Sequence, residues 1–303
     1  MRAIVTGATG FVGQWLVREL CANNHDVTVI VRDEKKVPAE WRNSVEIVES
    51  ALEDYGNLEK ADFKYESYDV FFHFAWAGTS GQDRSNYDMQ LRNVFAACES
   101  INLAKRLLCR RFLNAGSLME YDVMKYLPQD GAEPTAAYIY GISKMTADFM
   151  LKTLAVREGI EYINVIISNI YGVGENSARF LNQLLRKLIC NERISLTSGE
   201  QLYDFIYVTD AVKGIVYAAQ KGKNNSVYYI GNRKPQPLKE YILQAKEILN
   251  STAELAFGEV PYSGIMLTYK EFDTKKLFNI GFTIEVPFEK GILMTSEWIK
   301  ERI

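Results

Sequence analysis

Two residues one helical turn apart could do proton chemistry. Tyr140-Gly141-Ile142-Ser143-Lys144 sets a phenol and an ammonium on one face of a helix, because positions i and i+4 are neighbours on its surface. A free tyrosine titrates near pKa ~10. A nearby ammonium stabilises the phenolate, which brings Tyr140 within range of general acid and base work near neutral pH. Tyr138 cannot play this part, since Ile142 stands four residues after it. A Tyr and a Lys at this spacing also occur on solvated helix faces, so the pair acquires meaning from what surrounds it.

A second chemical feature lies at the start of the chain. Thr6-Gly7-Ala8-Thr9-Gly10-Phe11-Val12-Gly13 follows the apolar run Ala3-Ile4-Val5 and opens a helical pattern. In such a G-x-x-G-x-x-G turn Gly7 permits the tight turn, Gly10 lets backbone approach a pyrophosphate, and Gly13 allows close helix–strand packing. The helix N-terminus presents N–H donors to the phosphates. The competing reading is a glycine loop needed only for turn geometry. The end of the next strand, Ile30-Val31-Arg32-Asp33, discriminates between the nicotinamide dinucleotides. An acidic residue there bonds the ribose 2′-hydroxyl of NAD, whereas an arginine accommodates the 2′-phosphate of NADP. Val31 stands where the carboxylate is expected and Arg32 follows it, so NADP is favoured. NAD stays open through Asp33 if the turn is displaced by one residue, and so does a plain surface role for Arg32.

The elements that position these features alternate. Apolar runs at Ala3–Val5, Val27–Val31, Asp69–Phe74, Arg111–Asn114 and Tyr162–Ile167 read as buried parallel strands, and helical patterns run from Val12 to Asn23, Asn86 to Arg106 and Tyr140 to Arg157. This rhythm predicts an α/β fold, a doubly wound parallel sheet (Rossmann) with right-handed crossovers, and ligands beyond the carboxyl ends of its strands. After about residue 170 the rhythm changes. The expected organisation is a dinucleotide-binding domain over 1–171, with 204–230 returning to it, and a smaller C-terminal α/β substrate lobe from 172–203 and 231–303. Helices are expected at Phe180–Ile189, Thr209–Gln220, Leu238–Leu249 and Phe288–Lys300.

Composition excludes several classes. With 35 basic and 38 acidic residues among 303, the net charge of −3 gives no reason to expect a nucleic acid or an anionic membrane as partner. Cys21, Cys98, Cys109 and Cys190 are widely spaced, and His25 and His73 are the only histidines, so neither a disulfide framework nor a metal site is expected. His73, inside an apolar strand, reads as a satisfied core residue. The sequence has no signal-peptide pattern and no apolar run of membrane-spanning length, so a cytoplasmic protein is expected.

Taken together, the Thr6–Gly13 turn, Phe72-His73-Phe74-Ala75, Asn93, Gly116-Ser117-Leu118-Met119-Glu120-Tyr121, Tyr140 with Lys144, Asn169-Ile170-Tyr171-Gly172 and Tyr203–Asp210 make the sequence similar to the extended short-chain dehydrogenase/reductase family, also called the nucleotide-sugar epimerase/dehydratase family. The resemblance covers essentially the whole chain and implies an NAD(P)-dependent oxidoreductase or epimerase. It implies that Tyr140 is the proton donor, that Ser117 hydrogen-bonds the reacting oxygen, that Lys144 also holds the nicotinamide ribose, and that Asn93 helps to order the active-site helix. Ser117 as a turn cap and Asn93 as a surface amide are the plainer alternatives. Cofactor contacts are implied for Gly7, Thr9, Gly10, Phe11, Val12, Gly13, Arg32, Leu52, Phe74, Ala75 and Asn169, besides Tyr140 and Lys144. The long helices around 86–106 and 140–157 would pair in a homodimer, although packing within one chain explains the same apolar stripes.

Departures from the family pattern bear on the ligands. Ser50-Ala51-Leu52 stands where relatives carry Gly-Asp-Leu to hold the adenine, and Tyr203 stands where nucleotide-sugar enzymes often carry the pyrophosphate arginine. Arg179 is the candidate to supply that charge. Gly199–Asp204 and Glu120-Tyr121 resemble the subgroup that reduces 4-keto-6-deoxy sugars, of the abequose-synthase type. The expected substrate is therefore a nucleotide-linked 4-keto-6-deoxy sugar, in contact with Trp76, Met119, Glu120, Asn169, Arg179 and Tyr203. The alternatives are a nucleotide-sugar 4-epimerase that retains NAD, a reductase of free carbonyl compounds, and a redox-sensing dinucleotide-binding protein without catalysis.

Overall fold

A strand such as Ala3-Ile4-Val5 has apolar side chains on both faces, so it is stable only with cover on both sides. The structure, a computed structural model describing residues 1–262 and 267–303, supplies that cover. The first part runs β1 (Arg2–Thr6), α1 (Phe11–Ala22), β2 (Asp26–Val31), β3 (Val45–Glu49), β4 (Val70–His73), α2 (Tyr87–Arg106), β5 (Arg111–Ser117), α3 (Leu118–Tyr126), α4 (Tyr138–Glu158) and β6 (Glu161–Ile167). The remainder comprises β7 (Asn169–Tyr171), α5 (Phe180–Ile189), β8 (Ile194–Leu196), β9 (Leu202–Tyr203), β10 (Phe205–Tyr207), α6 (Val208–Lys221), β11 (Ser226–Ile230), β12 (Gln236–Pro237), α7 (Leu238–Ile248), β13 (Leu255–Phe257), α8 (Lys276–Asn279) and α9 (Phe288–Lys300).

Seven strands form one sheet in the order β3-β2-β1-β4-β5-β6-β11, every pair parallel. This is the doubly wound α/β sheet that the alternation predicts. Side chains of successive residues leave opposite faces. Val5, Val29, Phe72, Leu113 and Val165 join the core under α1 and α6, while Ile4, Ile30, Phe71, Phe112 and Tyr162 join the core under α2 and α4. On the second face the rings of Phe71 and Phe112 stack at 5.1 Å. The remaining strands form three two-stranded pairs, β7 with β10, β9 with β12 and β8 with β13, beside a group of helices in which α5, α7 and α9 pack on one another.

Two helices lie outside the sequence expectation, the single turn α8 and the longer α3. The segment after β5 carries no clear helical periodicity, yet α3 forms there because Ser117 and Glu120 make a capping box. The Ser117 side chain accepts from the backbone at the third helical position, and the Glu120 carboxylate accepts from the Ser117 N–H at 2.7 Å. The pattern Ser-x-x-Glu was visible in the sequence as a helix-start signal.

Close approach sets the rim of the sheet. Gly7 has φ +69°, and a Cβ there would lie 2.6 Å from the Phe74 carbonyl carbon. At Gly13 a Cβ would lie 2.1 Å from the Gly7 carbonyl oxygen. The end of β1, the turn and the start of α1 thus pack against the end of β4 at backbone distance. Gly13→Ala is expected to lower the free energy of unfolding by about 1–3 kcal/mol, read as a lower urea midpoint. An unchanged midpoint would mean that α1 does not dock this closely.

Candidate active site

The carboxyl ends of the parallel strands gather the candidate residues on one rim. At the end of β1 no side chain caps α1, whose N-cap is Gly10, and its first turn holds no acidic residue. The N–H groups of that turn, around Phe11, Val12 and Gly13, are therefore left for a ligand anion. Thr9 closes the turn, its carbonyl accepting from the Gln14 amide at 3.0 Å. Thr6 Oγ1 accepts from the N–H groups of Phe74 and Ala75 at 3.1 and 3.2 Å, which draws the ends of β1 and β4 together. This cradle fits the diphosphate of a dinucleotide, since its backbone N–H groups carry no side-chain cap and no carboxylate stands in the first turn. Leu52 is buried in the 3₁₀ segment that follows β3. Arg32, past the end of β2, is exposed and carries no ion pair among the described residues. Asp33 is occupied differently, its carboxylate accepting from the Lys35 N–H at 3.0 Å to cap a short 3₁₀ turn.

Ser117, Tyr140 and Lys144 come together between β5 and α4. The Ser117 hydroxyl stands beside the Tyr140 phenol and acts to lower its pKa, and it accepts from the Met119 N–H at 3.2 Å. Lys144 is buried, and its Nζ donates to the Ala115 carbonyl at 2.9 Å and lies 3.8 Å from the Trp76 ring centroid. Trp76 in turn meets Tyr140 edge to face at 6.4 Å. Burial raises the Tyr140 phenol above its ordinary value, while the Ser117 hydroxyl and the charges of Arg84 and Arg179 act in the opposite direction. The sequence expectation made Lys144 the cation that tunes Tyr140. In the structure the ammonium is turned to Ala115 and Trp76, and two guanidinium groups act on the phenol. Burial lowers the Lys144 ammonium, and the Glu120 charge works against that shift.

Two expected site residues lie behind the site. Glu120 is 2% exposed. Its oxygens accept from the Ser117 N–H and, at 3.3 Å, from Asn164 Nδ2, so it holds Ser117 from beneath and does not line an open substrate wall. Burial and neighbouring Asp148 raise its carboxyl above the ordinary range. Asn93 is also buried. Its Oδ1 accepts from the Ala77 N–H and its Nδ2 donates to the Ala77 carbonyl, both at 2.9 Å, so it orders the loop after β4 and not the helix that bears Tyr140. Gln90 does the same work, accepting from Trp76 Nε1 at 2.8 Å and donating to the carbonyls of Gly78 and Asp83. His73 is a core residue. Its Nδ1 lies 3.3 Å from both Thr6 Oγ1 and Ser100 Oγ, and burial pushes it down to about 3, so it is neutral.

Sequence reasoning missed Arg84 and Asp122. Arg84, in a 3₁₀ turn over Gly81–Ser85, lies with its guanidinium carbon 4.7 Å from the Tyr140 ring centroid. Asp122, on α3, interacts with the Arg84 charge and with Tyr203. No motif marks either one, and only the polar run just beyond a strand end could have drawn notice. Tyr203 is half-buried against Phe205, with ring centroids 5.5 Å apart. Asn169 accepts from the Tyr269 hydroxyl at 3.4 Å. Arg179, the N-cap of α5, is exposed and lies 3.6 Å from the buried Glu175 carboxylate. Among the described residues no group of His, Cys, Asp and Glu is placed to hold a metal, and no helix is long and apolar enough to cross a membrane.

Comparison with known proteins follows this geometry. A sequence model of the NAD dependent epimerase/dehydratase family matches residues 3–231. A protein named putative UDP-glucose 4-epimerase, from Methanocaldococcus jannaschii, is 26% identical, with 98% of each chain covered. CDP-abequose synthase from Salmonella muenchen is 23% identical over 96% of this chain and 95% of its own. Among solved structures, UDP-glucuronic acid 4-epimerase from Bacillus cereus, in complex with UDP-glucuronic acid and NAD, superposes with a TM-score of 0.81 at 18% identity, with 100% of both chains covered. At that identity the superposition speaks for the fold.

Asp122 yields a pH-dependent expectation. Burial pushes its carboxyl up to about 6, above the unfolded value of ~3.9. The folded state thus binds the proton more tightly, and the charge is unfavourable to folding once pH exceeds both values. Asp122→Asn is expected to stabilise the ligand-free protein at about pH 8 by on the order of 1 kcal/mol, after allowance for partial exposure. The difference should shrink as pH falls through 6 and vanish below about pH 4. Paired urea titrations check this, and a pH-independent difference would contradict it.

Proposed function

The chain belongs to the NAD-dependent epimerase/dehydratase family, an enzyme of the extended short-chain dehydrogenase type, and from that premise we propose that it reduces a nucleotide-linked 4-keto-6-deoxy sugar with NADPH as donor. The observation that carries this reading is the meeting of the Ser117 hydroxyl with the Tyr140 phenol at the rim of a parallel sheet, beside an uncapped, glycine-lined helix N-terminus. A bound nicotinamide dinucleotide supplies the hydride. Tyr140 Oη donates a proton to the sugar oxygen as charge develops on it, and Ser117 Oγ donates a hydrogen bond to the same atom. Lys144 is the group to hold the nicotinamide ribose, while Phe74, Ala75, Leu52 and Asn169 line the cofactor. Arg179 is assigned to the substrate diphosphate, with Trp76, Met119 and Tyr203 around the sugar.

The cofactor-binding lobe is taken as residues 1–171 with 204–230, and the substrate lobe as 172–203 with 231–303. NADPH is preferred over NADH on two grounds. Arg32 is exposed and carries no ion pair among the described residues, whereas the Asp33 carboxylate is committed to its own turn. A second reading, a 4-epimerase that retains NAD, is favoured by the likeness to the putative UDP-glucose 4-epimerase. The two differ in whether product forms without added reductant.

The protein is further read as a homodimer. Tyr87, Leu91 and Phe95 of α2 are 69%, 59% and 64% exposed, and Phe149, Met150 and Val156 of α4 are exposed as well. These helices pack side by side, and a second copy would cover an apolar face that a solvated monomer leaves open.

Tyr140→Phe tests the central assignment. It should reduce kcat by at least about 100-fold while NADPH affinity stays within about twofold, read by turnover of a nucleotide-linked 4-keto-6-deoxyhexose and by fluorescence titration. Near-wild-type turnover would remove Tyr140 from the reaction. Arg32→Ala should weaken NADPH about tenfold or more, the value of charge-assisted bonds to a 2′-phosphate, and leave NADH unaffected. Equal weakening of both would place Arg32 against a part that the two cofactors share.

A further inference from the structure

Two buried polar atoms, one on Arg84 and one on Asp122, lack partners among the described residues. The loop after β4, fastened by Gln90 and Asn93, delivers the Arg84 guanidinium onto the face of the Tyr140 ring at 4.7 Å. There the Arg84 Nε is buried and bonds nothing among the described residues. From α3 comes Asp122, whose Oδ1 is likewise buried and unbonded. Opposite charges attract, and each group acts electrostatically on the other, yet these two atoms do not close on one another. A buried donor and a buried acceptor left open cost stability, and a ligand that bonds both would recover that cost.

The chemistry of the two atoms restricts what can complete it. A lipophilic ketone would leave both unmet. A carboxylate or phosphate would satisfy Arg84 and be repelled by Asp122, and a cation would do the reverse. A hydroxyl satisfies both at once, because its oxygen accepts from Arg84 while its proton goes to Asp122. Tyr140, under the Arg84 guanidinium, marks where the reacting carbon lies. We propose that Arg84 and Asp122 together bind a sugar-ring hydroxyl next to the reacting carbon, so that the site selects a neutral, hydroxylated sugar over an acidic sugar or a lipophilic carbonyl compound. The proposal rests on the assignment of Tyr140 as proton donor at a nucleotide-sugar site and deepens it by naming the groups that read the sugar.

Calorimetric titration of the NADP-loaded protein tests this with UDP, CDP and dTDP, each alone and as its glucose conjugate, and with UDP-glucuronic acid. In the wild type the glucose unit is expected to add affinity to at least one diphosphate. In Arg84→Met and in Asp122→Ala that added affinity should fall about tenfold or more, with affinity for the bare diphosphate and for NADP unchanged. Retained NADP affinity shows that a variant is folded. Loss of bare-diphosphate affinity in Arg84→Met would make Arg84 a phosphate ligand and overturn the proposal. Tighter binding of UDP-glucuronic acid than of UDP-glucose would overturn it too, as would undiminished sugar affinity in both variants. If the wild type binds none of the diphosphates, the nucleotide reading falls by itself. The hydroxyl site is then decided by NADPH-dependent reduction of hydroxyacetone against acetone. A preference for hydroxyacetone that disappears in Asp122→Ala sustains the proposal, and no preference ends it.

Discussion

Three successive residues at the end of β5 hold the site. The Ala115 carbonyl takes the Lys144 ammonium at 2.9 Å. Gly116, with no side chain, leaves the space that the Asn164 amide and the Glu120 carboxylate occupy, since a Cβ there would lie 2.8 and 2.9 Å from them. Ser117 then ends the strand, caps α3 and presents its hydroxyl to Tyr140. Burying an ammonium is costly unless charges and dipoles answer it. Here the answer comes from a carbonyl, the face of Trp76 and the nearby Glu120. A one-residue slip in β5 would turn each of these groups to the other face of the sheet, which is why the pairing of Ala115 with Val165 and of Gly116 with Ile166 matters to chemistry as well as to stability.

The polar interior falls into two kinds. One kind is structural and ties segments together through one oxygen of a carboxylate. Asp204 Oδ2 accepts from the Tyr229 hydroxyl at 2.6 Å and from the Arg233 N–H at 3.1 Å, and Asp210 Oδ2 accepts from the N–H groups of Glu285 and Val286. Both carboxylates flank β10, so one short segment ties the C-terminal part of the chain to the large sheet. Trp15 adds a tie from α1, donating to the Val173 carbonyl at 2.8 Å. The other kind lies at the rim, where the Arg84 guanidinium covers the Tyr140 ring and acts on the Asp122 carboxyl.

The same contrast explains how the charges around Tyr140 are arranged. A buried phenol alone would be a poor acid near neutral pH, because burial disfavours phenolate. Two guanidinium groups on separate elements, a 3₁₀ turn and the N-cap of α5, offset that burial. They are held differently, since Gln90 fastens the Asp83 carbonyl next to Arg84 whereas Arg179 is exposed and lies 3.6 Å from Glu175.

Sequence by itself determined what depends on local spacing. Continuous apolar runs alternating with helical stretches specified the doubly wound sheet, the glycines of Thr6–Gly13 specified the uncapped turn at the end of β1, and the four-residue interval put Tyr140 and Lys144 on one helix. Helices such as Phe180–Ile189 and Phe288–Lys300 were readable to the residue because their apolar stripes are strong. Tertiary structure decided where side chains turn when several segments converge. Lys144 faces Ala115 and Trp76, Glu120 is drawn beneath Ser117, Asn93 grips Ala77, and Arg84 crosses from the β4 loop to lie over Tyr140. Spacing along one element fixes a direction relative to that element's own axis, whereas these contacts depend on how separate elements pack and on which buried polar groups need one another.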